Sequence, residues 1–224
     1  MTNTRIVTIS IIITVFFSLL LTWFSELDIA FSEIFFNKNE GFIYKNNFFV
    51  YKIYLILPQL TKIFAISCLS YLIYITIKHK SFKKAICSGA MFLVLTSAIG
   101  PGFVVNYVLK ENFGRARPHQ IEYFEGEKKF TKAFRITKQC SHNCSFASGH
   151  AAMGYFFTAI AYVMNLAYFN RIYISGLIFG TIVGISRIMM GGHFLSDVMT
   201  AAFVVLTLNH LIFIIWQKIL KNLK

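Results

Sequence analysis

Charged residues are scarce in this sequence. They make up 14% of its 224 residues, whereas hydrophobic residues make up 56%. Soluble globular domains carry about 25% charged and roughly 45–50% apolar residues. The composition therefore excludes an ordinary soluble domain and indicates an integral membrane protein. Because the length leaves no room for a soluble domain beside several membrane spans, we expect a single integral-membrane domain over residues 1–224.

Acidic residues are scarcer still than basic ones. Nine Asp and Glu residues stand against 22 Lys and Arg residues, which gives a net charge of +13. A strongly basic chain often binds nucleic acid, but such binding normally needs one contiguous basic face. Here the basic residues lie between apolar runs. We therefore expect a membrane partner and no nucleic acid.

Long apolar runs recur along the chain, each near the roughly 20 residues that a helix needs to cross a bilayer. They lack the alternation of a membrane β-barrel, so helices must satisfy their backbone groups in lipid. The expected fold is an all-α polytopic bundle of six transmembrane helices. The predicted spans are Ile6–Phe24, Ile63–Ile77, Ala85–Leu109, Ala151–Phe169, Ile172–Met190 and Val198–Trp216. The second is short, and Tyr51–Leu60 either extends it or lies flat in the membrane interface.

The short loops predict the orientation. With the N-terminus inside, the inner segments contain basic residues and no acidic ones; they are Met1–Arg5, Lys78–Lys84, Asn170–Arg171 and Gln217–Lys224. Basic inner loops are typical of proteins of the bacterial inner (cytoplasmic) membrane. The long loop Lys110–Gly149 and the turn Gly191–His193, separated by two spans, should then both face the periplasm. The first span has no small-residue cleavage site after Trp23, so we expect an uncleaved anchor.

Polar residues that can carry chemistry concentrate in three motifs, which are Lys110–Pro118, Ser145–His150 and Ser186–Asp197. Charges near membrane depth are expensive and usually functional. Lys110, Arg117 and Arg187 supply cations that suit phosphate oxygens. Ser148 and Gly149 stand where a helix is expected to begin, and free backbone N–H groups at such a terminus bind anions. The motifs therefore predict a phosphate site.

Two histidines and one aspartate complete the predicted site. His193 and Asp197 are four residues apart and share one face of the helix that begins the sixth span. A carboxylate there can hold the imidazole in one tautomer, as an oriented nucleophile or base requires. His150 supplies a second imidazole, suited to protonating a leaving alcohol. No aspartate-rich or His-Glu-x-x-His pattern accompanies them, so we expect no metal and no other cofactor.

Together the motifs resemble the type 2 phosphatidic acid phosphatase family, whose pattern is K-x6-RP, PSGH and SR-x5-H-x3-D. The resemblance covers about residues 85–200, with Ala147 in place of the usual proline. It implies a metal-independent lipid phosphatase with its active site at the outer membrane face, in which His193 forms a phosphohistidine. It also implies that Asp197 orients His193 and that His150 protonates the leaving oxygen. The residues implied to bind the phosphoryl oxygens are Lys110, Arg117, Ser148, Gly149 and Arg187.

Two further segments, Gly100–Asn106 and Gln139–Ser145, resemble the bacterial subgroup that dephosphorylates lipid A. This resemblance implies lipid A as substrate and leaves the 1- and 4′-phosphates open. Undecaprenyl pyrophosphate and phosphatidylglycerol phosphate are alternative substrates. A protein that only binds or transports phospholipid is a further alternative, against which the intact catalytic residues argue. The vanadate-dependent haloperoxidases share the phosphate-site pattern, but six spans and short loops argue against them.

Several residues of the long loop have two interpretations each. Arg115 and His119 are candidates for substrate contact, although Arg115 would equally suit a place facing water. Cys140 and Cys144 are expected to form a disulfide in an oxidising compartment, the alternative being two free thiols. Five cations suit either a polyanionic head group or a solvated loop beside an anionic membrane; they are Lys128, Lys129, Lys132, Arg135 and Lys138.

Overall fold

The computed structural model describes residues 4–223. Five helical segments in this range are long and apolar enough to cross a membrane, and they are Thr4–Trp23 (helix α1), Phe48–His79 (α3), Gly89–Asn112, Leu166–Met189 and Leu195–Leu223 (α9). The predicted multi-pass helical architecture is confirmed in this form. The count of six spans stays a prediction.

The fourth predicted span differs in construction from the others. An α-helix over Gly149–Phe156 (α7) continues as a 3-10 helix over Phe157–Val163. At rises of about 1.5 and 2.0 Å per residue, the two pieces together are about 26 Å long. Most of their residues are buried, and many are alanine or aromatic. This segment therefore lies inside the bundle and not against lipid.

The predicted boundary between the fourth and fifth spans is wrong. The backbone becomes extended at Met164, and the side chain of Asn165 caps the next turn by accepting from the Ala167 N–H. The chain thus turns before the predicted inner loop Asn170–Arg171, which lies inside helix α8 (Phe169–Met189). An arginine at a helix end can extend its charge toward the interface, so a single arginine is a poor marker of a turn.

Helix α3 is one continuous helix over Phe48–His79. Asn47 caps its start by accepting from two backbone N–H groups of the first turn. Pro58 lies inside the helix and does not end it. Tyr51–Leu60 therefore extends the second span, and the interfacial alternative is wrong.

The third span changes its winding before it reaches the site. Helix α4 (Phe82–Ile86) precedes it, and the span itself consists of α5 (Gly89–Ser97), a π-helix over Ala98–Leu109 and a last turn over Lys110–Asn112 (α6). Pro101 removes one backbone donor from the π-helix, and the Asn106 side chain donates to the Pro101 carbonyl at 2.8 Å. Such wide turns are frequent at functional sites.

Polar pairs and small residues join the helices. The hydroxyls of Ser18 on α1 and Thr200 on α9 lie 2.9 Å apart. On α8, Gly180 lies against the Tyr155 ring and Gly184 against Val198, with no room for a side chain at either glycine. Small residues and interhelical hydrogen bonds are how helices associate in a membrane, where lipid is as apolar as a side chain.

Short elements cover the end of the bundle where α6 ends and α7 and α9 begin, here called the site end. They are α2 (Glu26–Glu33), a two-stranded antiparallel hairpin (β1, Phe36–Asn37; β2, Gly41–Phe42) and two 3-10 turns, Pro118–Gln120 and Glu122–Phe124. A small hydrophobic cluster, formed by Phe42, Ala116, Ile121, Phe124 and Phe194, fixes them against the bundle. The hairpin is a small departure from the predicted all-α fold.

Candidate active site

The three motifs meet at the site end. The Ser148 N–H donates to the Asp197 carbonyl at 3.2 Å, which joins the second motif to the third. The Arg115 guanidinium donates to the Asp197 carboxylate at 2.5 Å, which joins the first motif to the third. The predicted meeting of these loops is therefore present in the structure.

His193 is 1% exposed and held by a backbone carbonyl. Its Nδ1 lies 2.7 Å from the Ser145 carbonyl oxygen. Because a carbonyl only accepts, Nδ1 carries the hydrogen and Nε2 keeps its lone pair. Burial lowers the pKa of His193 to about 3, the charges of Lys110 and Arg117 act in the same direction, and Asp197 opposes them. The ring is therefore neutral at physiological pH.

Asp197 acts on His193 less directly than the sequence predicted. Its Oδ2 lies 3.6 Å from His193 Nδ1, beyond hydrogen-bonding distance. The same oxygen accepts from the Ser145 hydroxyl at 2.5 Å and from the Phe194 N–H at 2.9 Å. Asp197 therefore fixes the segment whose carbonyl holds the imidazole, and its charge remains close enough to stabilise an imidazolium.

Arg115 does not face water, so that predicted interpretation is wrong, and four of its five N–H groups are already used inside the protein. Its predicted contact with substrate stays a prediction. It is 1% exposed, and its guanidinium donates to Asp28 Oδ2 at 2.8 Å, as well as to Asp197. Its remaining hydrogen bonds go to the Ser196 hydroxyl at 2.7 Å and the Thr131 carbonyl at 2.8 Å. A buried guanidinium needs partners for its donors inside the protein, and these partners take four of its five N–H groups.

Asp28, on α2, is a site residue that sequence reasoning missed. It is fully buried, and it accepts from the backbone N–H and the hydroxyl of Ser196 at 2.8 and 2.5 Å. Together Asp28, Arg115 and Asp197 form a buried chain of alternating charge, here called the ion chain. The available signal was an aspartate placed between the apolar residues Leu27 and Ile29.

Three cations of the site have no carboxylate partner in the part of the chain that the structure describes. Lys110 is 8% and Arg187 is 4% exposed, and no salt bridge within residues 4–223 involves either of them or Arg117. The Arg187 Nε has no hydrogen-bond partner among these residues. Buried charge without a partner is costly, so this arrangement suits a bound anion. Planar guanidinium groups match phosphate oxygens in particular.

The start of α7 supplies backbone donors beside these cations. Ser148 is its N-cap, with the hydroxyl accepting from the Ala151 N–H at 3.3 Å. A side chain at Gly149 would overlap the Asn106 amide oxygen, so Asn106 would have to move to admit one. Free N–H groups at a helix N-terminus add to the attraction for an anion.

His150 lies next to the cations and contacts α3. Its ring stacks on the Tyr54 ring, with centroids 4.9 Å apart and planes at 24°. The guanidinium of Arg187 lies 4.5 Å from the centroid of the same Tyr54 ring. Tyr54 is a second residue that the sequence did not predict for the site. The sequence left open whether the segment that contains Tyr54 belongs to the second span.

A sequence model of the PAP2 superfamily matches residues 89–221, more than half of the chain. The chain belongs to the PAP2 superfamily. All three motifs lie inside the PAP2 match, whereas Asp28 and Tyr54 lie outside it. The predicted family is therefore confirmed.

The chain is similar to curated PAP2 relatives and to a solved PAP2 structure. It is 40% identical over 118 residues to a lipid A 4′-phosphatase of Francisella tularensis subsp. novicida (strain U112), covering 52% of this chain and 51% of that protein. It is 38% identical over 105 residues to a lipid A 4′-phosphatase of Rhizobium leguminosarum, covering 46% and 44%. The chain thus spans about half the length of these relatives.

The crystal structure of the first transmembrane PAP2 type phosphatidylglycerolphosphate phosphatase from Bacillus subtilis has the same fold. It aligns with a TM-score of 0.56 at 21% identity, over 94% of this chain and 97% of that one. At this identity the likeness concerns the fold alone.

The long loop contains a disulfide next to Arg117. Cys140 and Cys144 are bonded, with Cα atoms 5.6 Å apart, which confirms the predicted pairing. Between them, Asn143 adopts a left-handed conformation with φ of 52°. Its carbonyl accepts from Arg117 Nη2 at 2.7 Å and from Nε at 3.2 Å. The bridged loop therefore orients the Arg117 guanidinium.

His119 and five cations are the other residues of the long loop for which a role was predicted. His119 holds the turn of the third motif, since its Nδ1 and its backbone N–H both donate to the Gly191 carbonyl, at 2.8 and 3.1 Å. Its predicted contact with substrate stays a prediction. The five loop cations Lys128, Lys129, Lys132, Arg135 and Lys138 are all exposed. Their two interpretations therefore both stay open.

Proposed function

We propose that this protein is a metal-independent membrane phosphatase that removes the 4′-phosphate of lipid A at the periplasmic face of the bacterial inner membrane. The observation that carries the proposal is a group of three cations without a carboxylate partner among residues 4–223, beside a neutral, buried His193. A phosphate monoester supplies the negative charge that this group lacks. The lipid and the 4′ position rest on the curated relatives named lipid A 4′-phosphatase, which match about half of their length.

In the proposed first step, the lone pair on His193 Nε2 attacks phosphorus. The bond between phosphorus and the sugar oxygen breaks. His150, which takes up a proton from solvent once the phosphate has bound, gives that proton from Nδ1 to the sugar oxygen. Lys110, Arg117 and Arg187 balance the charge on the phosphoryl oxygens as it shifts. The product is a phosphohistidine whose positive ring is stabilised by the nearby Asp197 carboxylate.

In the proposed second step, water hydrolyses the phosphohistidine. His150, now neutral, takes a proton from the water as its oxygen attacks phosphorus. The phosphorus–nitrogen bond breaks, and its electron pair returns to Nε2. Inorganic phosphate leaves, His193 regains its starting tautomer, and His150 releases its proton to solvent.

The periplasmic location rests on the distribution of charge. The acidic residues lie at or near the site end. At the opposite ends of the helices, the charged residues are all basic. Basic residues favour the cytoplasmic side of the inner membrane. A lipid substrate at the periplasmic leaflet would then meet the site at the membrane surface.

The test uses purified protein in lipid nanodiscs with labelled lipid A, undecaprenyl pyrophosphate and phosphatidylglycerol phosphate. Mass spectrometry of the lipid A product should show loss of the 4′-phosphate, with little turnover of the other two lipids. Vanadate should inhibit, and a chelator should not. The proposal fails if one of the other lipids is preferred, or if activity needs an added divalent ion.

A further inference from the structure

Helix α3 contains one proline, and this residue frees a backbone carbonyl next to the site. In an α-helix each carbonyl accepts from the N–H four residues later. The residue four positions after Tyr54 is Pro58, which has no N–H. The Tyr54 carbonyl is therefore left without its helical donor.

The His150 side chain donates a hydrogen bond to this carbonyl in place of the missing N–H. Its Nε2 lies 3.2 Å from the Tyr54 carbonyl oxygen. Because a carbonyl only accepts, Nε2 must carry a hydrogen, and Nδ1 is the nitrogen left for proton exchange with substrate. The stacked Tyr54 ring fixes the plane of the imidazole as well. One residue of α3 thus sets both the rotation of His150 and the nitrogen that it presents.

We propose that Pro58 is a positioning residue for the phosphatase reaction, acting by leaving the Tyr54 carbonyl free to hold His150. This inference rests on the proposed function, since it concerns the group that protonates the leaving oxygen. Pro58 itself touches neither reacting atom. Its effect passes entirely through the backbone of Tyr54 to the imidazole.

The test is Pro58→Ala, which restores the missing N–H. The new N–H competes with His150 for the Tyr54 carbonyl and releases the ring. A misplacement of about 1 Å in a catalytic group can cost on the order of a hundredfold in rate. We expect kcat to fall by about tenfold to a hundredfold with KM nearly unchanged. The melting temperature should stay the same or rise, because alanine suits a helix interior better than proline.

The matched control is Gln59→Ala, which changes the exposed neighbour of Pro58 and leaves the Tyr54 carbonyl free. It should keep the wild-type kcat. Nitrogen-15 NMR of the imidazoles, with His150 assigned from a His150→Gln variant, gives a second measurement that needs no substrate. The wild type should show the Nε2–H tautomer, and Pro58→Ala should show a mixture of tautomers.

The outcomes separate this inference from the proposed function. A wild type that dephosphorylates none of the lipids overturns the proposed function, while the NMR comparison still tests the bond to the carbonyl. An active wild type with an unchanged kcat in Pro58→Ala overturns the positioning role. A lower kcat with an unchanged His150 spectrum also overturns it, because the loss then arises elsewhere.

Discussion

Arg115→Met is expected to lower both the melting temperature and the phosphatase activity of this protein. The substitution keeps a long side chain but leaves Asp28 and Asp197, both fully buried, without their shared cation. At an effective dielectric constant of about 20, each ion pair contributes about 4 kcal/mol, or about 8 kcal/mol for the two. The cost of burying the guanidinium offsets several kcal/mol of this sum.

The expected net loss is therefore about 3–5 kcal/mol, the range found when one partner of a buried ion pair is removed. For a chain of this size, 1 kcal/mol corresponds to about 2–4 °C, so the melting temperature should fall by about 6–20 °C. Activity should fall further than stability alone explains, because Asp197 no longer fixes the Ser145 segment that holds His193.

The assay is thermal unfolding in detergent together with initial rates measured well below the melting temperature. Arg135→Met removes an exposed cation of the same loop and is the control, with an expected change of at most about 0.5 kcal/mol. Asp28→Asn should cost less than Arg115→Met, because Arg115 keeps its pair with Asp197. A melting temperature for Arg115→Met within 2 °C of the control, with normal rates, would refute a structural role for the ion chain.

Three further predictions concern the nucleophile, the bridged loop and the orientation. His193→Ala should fold normally yet form no acid-labile phosphoenzyme with labelled substrate; near-normal turnover would rule out the covalent route. Cys140→Ser and Cys144→Ser should each lower activity, with the double variant no worse than either, since both break one bond; an additive loss measured in rate assays would argue for two separate roles. A cysteine at Lys129 should react with an impermeant thiol reagent in cells with a permeabilised outer membrane, and one at Lys83 should not; the opposite labelling would invert the topology.

The features that could be predicted from the sequence are those that a short segment of chain determines by itself. The spacing between His193 and Asp197 and the order of the motifs are visible in the chain, so the meeting of the motif loops followed from the number of spans between them. The Cys140–Cys144 pair was predictable for the same reason, since three intervening residues keep the thiols close. Local spacing is the information that a single sequence contains most directly.

The features that could not be predicted are those in which the role of a residue depends on a partner far away in the sequence. Asp28 and Tyr54 reach the site from helices α2 and α3, and no spacing relates them to Arg115 or His150. The turn at Met164 was missed because the apolar pattern continues across it. Hydrophobicity shows that a segment is buried or lies in lipid, but it does not show where an α-helix gives way to a 3-10 helix.

The ion chain also has a consequence for how the molecule is divided and assembled. The family match begins at residue 89, but the counter-charge of Arg115 is supplied from residue 28. A fragment cut to the matched region would retain every motif and still lose Asp28 and Tyr54. During synthesis, the first helices must therefore remain available until the last one has been inserted. Catalytic activity then requires the complete bundle. Grafting the three motifs onto another set of membrane helices would not transfer this activity.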